Sequence, residues 1–294
     1  MTLPNFLVIG AQRAGTTLLH VVLEAHPEVY VPYQRKEVHY FDWYWDRGAD
    51  WYAAFFPPGD QAGRYRAIGE ATPDYLFESD VPERIGETCP DCRFIVSLRN
   101  PVERAYSSYL YARRSYNERR SFEEYIEQQP EVLQRGRYSE QLSRYFARFG
   151  EDAVLVLVFE ELLRAPADHL GRLARFLGLT AAWPNPEVLL SRQVNDSRAP
   201  YFAATFAAAR RLGNVLLRHD LNWPVRVAKQ LGVPRWFGSE ETKLKMSEAT
   251  RAHLERLYAD EICDLESLLG RDLSVWRAER SVSQGELASP DLRG

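Results

Sequence analysis

Three short stretches of this 294-residue chain carry residue types and spacings that suit chemistry. The first is Gly10-Ala11-Gln12-Arg13-Ala14-Gly15-Thr16-Thr17. Its glycines allow a tight backbone turn. A helix starting at Thr16 would present unpaired amides and a positive dipole end, the geometry that binds phosphate. The spacing equals that of a G-x-x-x-x-G-K-[ST] loop, yet Thr16 stands where that loop holds its lysine. Phosphoryl transfer from ATP normally uses that lysine and a magnesium ion. Here Arg13 supplies the positive charge, and the Thr16 and Thr17 hydroxyls can bind a phosphate oxygen without a metal. The plainer reading is a glycine turn that merely joins strand to helix.

The second stretch, Arg99-Asn100-Pro101-Val102-Glu103 with Ser107 further on, follows an apolar run. Arginine offers a planar fork of donors that fits phosphate, and parallel sheets bind ligands at the carboxyl ends of their strands. Asn100 suits an N-cap, Pro101 the first helical position, and Glu103 completes a capping-box pattern. The plainer reading pairs Arg99 with Glu103 and leaves Ser107 solvated. The third stretch is Lys36-Glu37-Val38-His39-Tyr40-Phe41-Asp42. Glu37, His39 and Asp42 are candidate proton acceptors. If residues 37–41 are extended, Glu37, His39 and Phe41 share one face.

Alternating elements position these stretches. Apolar runs at 5–9, 93–98 and 154–158 read as strands buried on both faces, with a further short strand at 28–31. Helices are predicted over 16–25, 101–116, 122–129, 139–149, 166–177 and 247–269, with Gly178 and Gly270 as stops. The aromatic stretch 33–79 reads as short helices and loops packed over the sheet edge, its rings more core than ligand box. Strands alternating with helices predict an α/β fold, a three-layer sandwich with a mostly parallel central sheet flanked by helices. One domain over 1–277 is expected. Within it, 181–245 forms helices and loops on the acceptor side, and 278–294 is a polar, loose tail.

Composition excludes several classes. The formal net charge is -4, which disfavours a nucleic-acid binder. No apolar run is long enough to span a bilayer, and no leader pattern opens the chain, so no membrane association and a cytoplasmic location are expected. Three cysteines argue against a disulfide framework, and Cys89-Pro-Asp-Cys92 lacks the second pair a zinc site would need.

With these motifs in order, the chain resembles the sulfotransferases that use 3′-phosphoadenosine 5′-phosphosulfate (PAPS), especially the branch containing heparan sulfate sulfotransferases and their bacterial relatives. Residues 10–18 resemble that family's 5′-phosphosulfate loop, 36–42 its base-bearing segment, 97–107 its 3′-phosphate motif, and 244–276 its C-terminal helix with the ending GRDLSVW. The resemblance implies a P-loop-like fold and PAPS as cosubstrate, leaving adenosine 3′,5′-bisphosphate. It implies that Arg13, Ala14, Gly15, Thr16 and Thr17 hold the phosphosulfate and that Arg99 and Ser107 hold the 3′-phosphate. Glu37 would be the general base, with His39 as the other candidate, and Arg13 would stabilise the leaving charge.

Arg198, in a segment resembling one that approaches the cofactor, is a further candidate contact, and Tyr138 opens a helix that faces the cleft in the family. One position departs: the heparan sulfate enzymes carry a lysine where this chain has Ala71. The acceptor is expected to be a hydroxyl of a small molecule or glycan, with no metal required. Two other readings stay open. One is a P-loop kinase with Glu160-Glu161 mimicking a magnesium-binding acid. The other is a nucleotide-binding protein of the same fold that has lost catalysis.

Overall fold

The computed structural model describes residues 1–184 and 245–277. Five strands, β1 (Phe6–Gly10), β2 (Val29–Tyr30), β3 (Ala67–Ala71), β4 (Arg93–Leu98) and β5 (Val154–Val158), form one sheet in the order β2-β3-β1-β4-β5. Every pairing is parallel. Side-chain alternation along each strand builds two cores. Leu7, Ile9, Phe94, Val96, Leu98, Val154 and Val156 face one layer. Phe6, Val8, Ile95 and Leu157 face the other.

The first layer is closed by the aromatic segment and several helices. Tyr40, Phe41, Tyr52, Phe55 and Phe56 are buried there, as the sequence suggested. The short helices α2 (Gly48–Ala53) and α3 (Gly59–Ala62) carry this segment, and α4 (Val81–Thr88) adds Val81 and Ile85. The second layer is covered by α1 (Thr16–Glu24). Around α5 (Pro101–Tyr116), α6 (Phe122–Gln128) and α7 (Glu131–Gln134), a third cluster forms beside the sheet. Helix α8 (Tyr138–Phe149) returns to the first layer, and α9 (Phe159–Arg164) and α10 (Pro166–Leu177) to the second. No helix among the described residues is long and apolar enough to cross a membrane.

Three expectations are corrected. Residues 67–71 form β3, an inner strand, where short helices and loops were expected. Its small residues hide it: a side chain at Gly69 would run into the Phe6 carbonyl of β1. Residues 247–269 are two helices, α11 (Glu248–Leu257) and α12 (Ala259–Leu269), broken at Tyr258. That ring is buried and donates its hydroxyl to the Leu133 carbonyl at 2.7 Å. The capping box at α5 is also absent. Asn100 Oδ1 accepts the Val102 and Glu103 amides, but the Asn100 amide goes to Glu160 (2.9 Å) and the Glu103 carboxylate to Arg251 (2.6 Å). Nearly all of 181–245, and all of 278–294, lie outside the described residues.

Alternation in β3 turns Glu70 into the first layer, fully buried. It accepts hydrogen bonds from Thr72 Oγ1 (2.7 Å) and the Tyr52 hydroxyl (3.4 Å). Burial outweighs these bonds and raises its pKa from 4.5 to about 7. The folded chain therefore keeps a proton there that the unfolded chain has lost. The contribution of Glu70 to stability is full below about pH 4.5 and falls as pH rises towards 7. Glu70→Gln, which keeps the neutral shape, is expected to flatten that decline; urea midpoints at about pH 5 and pH 7 check it, and an unchanged slope would assign the decline to another group.

Candidate active site

The loop of residues 11–15 leaves β1 and enters α1 over the carboxyl edge of the sheet. Its shape is set by β4. The Ala11 amide donates to the Ser97 carbonyl at 2.7 Å, and Ser97 Oγ donates to the Ala14 carbonyl at 2.6 Å. Gly15 sits at φ 83, where a side chain is strained, and a Cβ there would overlap the Phe159 ring. Gly10 is equally confined by Leu76. Helix α1 has no side-chain cap, so its first amides face the loop mouth. Thr16 is buried and Thr17 exposed.

The second motif lies beside the first. Arg99 follows β4, and its guanidinium reaches the Arg13 carbonyl at 3.5 Å and stacks over Phe159, with the guanidinium carbon 5.6 Å from the ring centre. Arg13, at φ 70, folds back so that Nε donates to Ser107 Oγ at 3.4 Å, and its guanidinium lies 4.4 Å over the Tyr111 ring. Arg13, Ala14, Gly15, Thr16, Thr17, Arg99 and Ser107 thus surround one edge, although 94 residues separate Arg13 from Ser107. Glu103 is taken by Arg251, and among the described residues no carboxylate pairs with Arg99. Tyr138 is fully buried and donates its hydroxyl to the Arg99 carbonyl at 2.9 Å, so it steadies this backbone from beneath. The C-terminal ending docks behind it: Asn100 Nδ2 donates to the Trp276 carbonyl, and Trp276 Nε1 to Glu160, both at 2.9 Å.

The third stretch crosses in front of α1. Glu37 and His39 do meet, with Oε2 and Nε2 3.6 Å apart, while Phe41 enters the core. The turn that joins them is not an extended run, because His39 sits at φ 57. Its amide donates to Thr72 Oγ1 (3.3 Å), and the Tyr40 and Phe41 amides donate to the buried Tyr75 hydroxyl (2.8 and 3.4 Å). His39 Nδ1 lies 2.8 Å from Asp42 Oδ2, and Trp43, 55% exposed, stacks flat on the imidazole with ring centres 3.8 Å apart.

Burial would make His39 neutral, but Asp42 and Glu37 raise its pKa to about 9. Burial would likewise protonate Glu37, but His39 and Lys36 hold its pKa at about 2. At neutral pH the pair is therefore a carboxylate against an imidazolium. His39, Asp42 and Asp74 bring one ligand atom each within 4.8 Å, a spacing that suits a metal. Yet Asp74 is bound to Arg135 at 2.6 Å and His39 is held between the carboxylates of Glu37 and Asp42, so each group already has a partner.

Sequence reasoning missed Lys36. Its ammonium bridges Thr17 Oγ1 (3.0 Å) and Glu37 Oε1 (2.9 Å), joining the first stretch to the third. Adjacency to Glu37 was the available signal, but the reach to Thr17 is visible only in the fold. Arg198 lies outside the described residues.

Residues 3–198 match the sulfotransferase domain family. Curated relatives include the membrane-associated sulfotransferase kil1 of Dictyostelium discoideum, 38% identical over 112 residues, covering 38% of this chain and 24% of the relative. The human heparan sulfate glucosamine 3-O-sulfotransferase 3B1 is 31% identical over 186 residues, covering 60% and 46%. The Xenopus laevis bifunctional heparan sulfate N-deacetylase/N-sulfotransferase 1 is 30% identical over 199 residues, covering 61% and 22%. The chain thus spans less than half the length of each of these three. Among solved structures, a sulfotransferase from Alicyclobacillus acidocaldarius superimposes with a TM-score of 0.67 at 26% identity, covering 94% of this chain and all of that one. With a match over two thirds of its length and that shared fold, the chain belongs to the sulfotransferase domain family.

Proposed function

We propose that this chain moves a sulfuryl group from PAPS to an acceptor hydroxyl by in-line displacement, with Glu37 as general base, in one domain of residues 1–277. The observation that carries the reading is that the loop after β1 and the Arg99/Ser107 segment after β4 lie side by side, with Arg13 linking them, and both offer the donors an anion needs. A donor with a phosphosulfate at one end and a 3′-phosphate at the other suits two cradles, whereas ATP needs only one. The donor brings an activated sulfuryl group when bound. The α1 amides and the Thr16 and Thr17 hydroxyls would hold the phosphosulfate end, and Arg99 and Ser107 the other. Glu37, whose side chain is 40% exposed and ionised, would take the acceptor proton. His39, charged and buried, would orient Glu37 instead of serving as base.

The kinase reading loses its acidic pair: Glu160 is bound by the Asn100 amide and Trp276, and Glu161 by Arg271. The non-catalytic reading is disfavoured by the assembled Glu37, His39 and Asp42 cluster. Two relatives named for heparan sulfate keep a glycan among the candidate acceptors beside small molecules. We assign residues 181–245 to the acceptor side, with Arg198 as a contact to phosphate or acceptor.

Arg99→Ala is expected to weaken adenosine 3′,5′-bisphosphate about 10- to 100-fold, the worth of one charge-assisted hydrogen-bond set. Calorimetric titration without metal checks it, with ATP and magnesium run in parallel. Magnesium-dependent ATP binding alongside weak bisphosphate binding would return the protein to the kinase class. Glu37→Gln should leave bisphosphate affinity within about twofold and lower turnover by about 100-fold or more. An unimpaired rate would remove Glu37 as base.

A further inference from the structure

The cations of the site divide by position. Arg13 is drawn towards Ser107 and Tyr111, on the side of the second motif. Arg99 lies over Phe159. Ala71, at the end of β3, is buried and brings no charge. Lys36 alone among the described residues stands between the first turn of α1 and the Glu37 carboxylate, hydrogen-bonded to both. Two of its three N–H donors are used in these bonds. His20, one turn along α1 from Thr16 and Thr17, does not add to the charge, because burial and the Lys36 ammonium lower its pKa to about 4.

Resting on the proposed function, we infer that the Lys36 ammonium is the cation that meets the transferring sulfuryl group, and that its bond to Glu37 is a resting contact given up when the donor binds. Thr17 marks where the loop ends, and Glu37 marks where the acceptor proton goes; the group in transit passes between them. In the step itself, the acceptor oxygen bonds to sulfur as the bond from sulfur to the 5′-phosphate oxygen breaks. The electron pair stays on that phosphate oxygen, and the acceptor proton goes to Glu37. Lys36 keeps all its protons and offsets charge that would otherwise face Glu37. The exchange also prepares the base. A carboxylate held by two cations is a weak proton acceptor, and one released by Lys36 is a stronger one. Readiness of the base is thereby tied to the presence of the donor.

The test compares binding of intact PAPS with binding of adenosine 3′,5′-bisphosphate, which lacks the sulfuryl group. For Lys36→Met, bisphosphate affinity is expected within about twofold of the native protein, and PAPS affinity to fall about tenfold or more. Glu37→Gln, which removes the competitor for Lys36, is expected to tighten PAPS severalfold, and that gain is expected to vanish in the Lys36→Met background. Sulfate release from PAPS without added acceptor should fall about 100-fold in Lys36→Met and partly recover in Lys36→Arg. Equal effects of Lys36→Met on both ligands would overturn the role of Lys36. A Glu37→Gln gain that persists without Lys36 would overturn the resting contact. Lys36→Gln, closer in polarity, repeats the comparison if Lys36→Met does not fold. Native protein that binds neither nucleotide would instead overturn the proposed function, so the two failures are distinguishable.

Discussion

Ser97 is the joint on which the loop after β1 and the turn after β4 both depend. Its carbonyl accepts the Ala11 amide and its hydroxyl donates to the Ala14 carbonyl, so a residue of β4 fixes both ends of the loop that follows β1. Ser97 is fully buried, so water cannot replace these bonds without a large penalty. Parallel pairing of β1 with β4 puts both carboxyl ends on one edge. Arg99 is two residues beyond Ser97, about 7 Å along an extended chain. The separation of the loop after β1 from Arg99 is therefore a property of strand geometry, not of loop length. Phe159, at the start of α9, lies against Gly15, and the Arg99 guanidinium sits over its ring.

The segment that carries Glu37 and His39 is built differently. Residues 36–42 are not a strand or a helix, and side chains hold them in place. Charges alternate along Lys36, Glu37, His39 and Asp42, each within hydrogen-bond or ion-pair reach of the next. Such an alternating set lets charged groups persist where burial alone would neutralise them. His39 adopts a left-handed backbone that a residue with a side chain rarely takes. The surroundings over-determine it: Asp42 on the ring, Trp43 on its face, Thr72 on its amide. Thr72 passes the constraint to buried Glu70, so β3 supports the third stretch as β4 supports the first.

The strands β1, β4 and β5 were legible because each is a continuous apolar run, and the candidate motifs stood out because glycine, arginine and hydroxyl residues follow those runs. Strand β3 was not, since Ala67-Ile68-Gly69-Glu70-Ala71 has neither bulk nor alternation of polarity. Its glycine answers to the Phe6 carbonyl and its glutamate to Tyr52 and Thr72, contacts that no local pattern encodes. The capping box failed for the same reason. Asn100 and Glu103 had the right spacing, but Glu160, 60 residues from Asn100, and Arg251 bound the groups first. Tyr258 reads as one apolar position of a long helix until the Leu133 carbonyl is seen to hold it. The third stretch was legible as a set of candidates, but the choice among them depended on which charges surround each.

That choice follows from burial and partners together. Glu160 is as acidic in sequence as Glu37, yet it is buried and accepts from a backbone amide and an indole, which leaves it no role at the edge of the site. Glu161 is bound by Arg271. Glu37 keeps part of its carboxylate open while its bonded partners are cations. A carboxylate with cationic partners is held ionised and is a weak proton acceptor. Lys36 is the partner that touches both Thr17 and Glu37, whereas His39 is fixed by Asp42 and the Trp43 stack. The first turn of α1 and the Glu37 carboxylate are therefore joined through one flexible side chain.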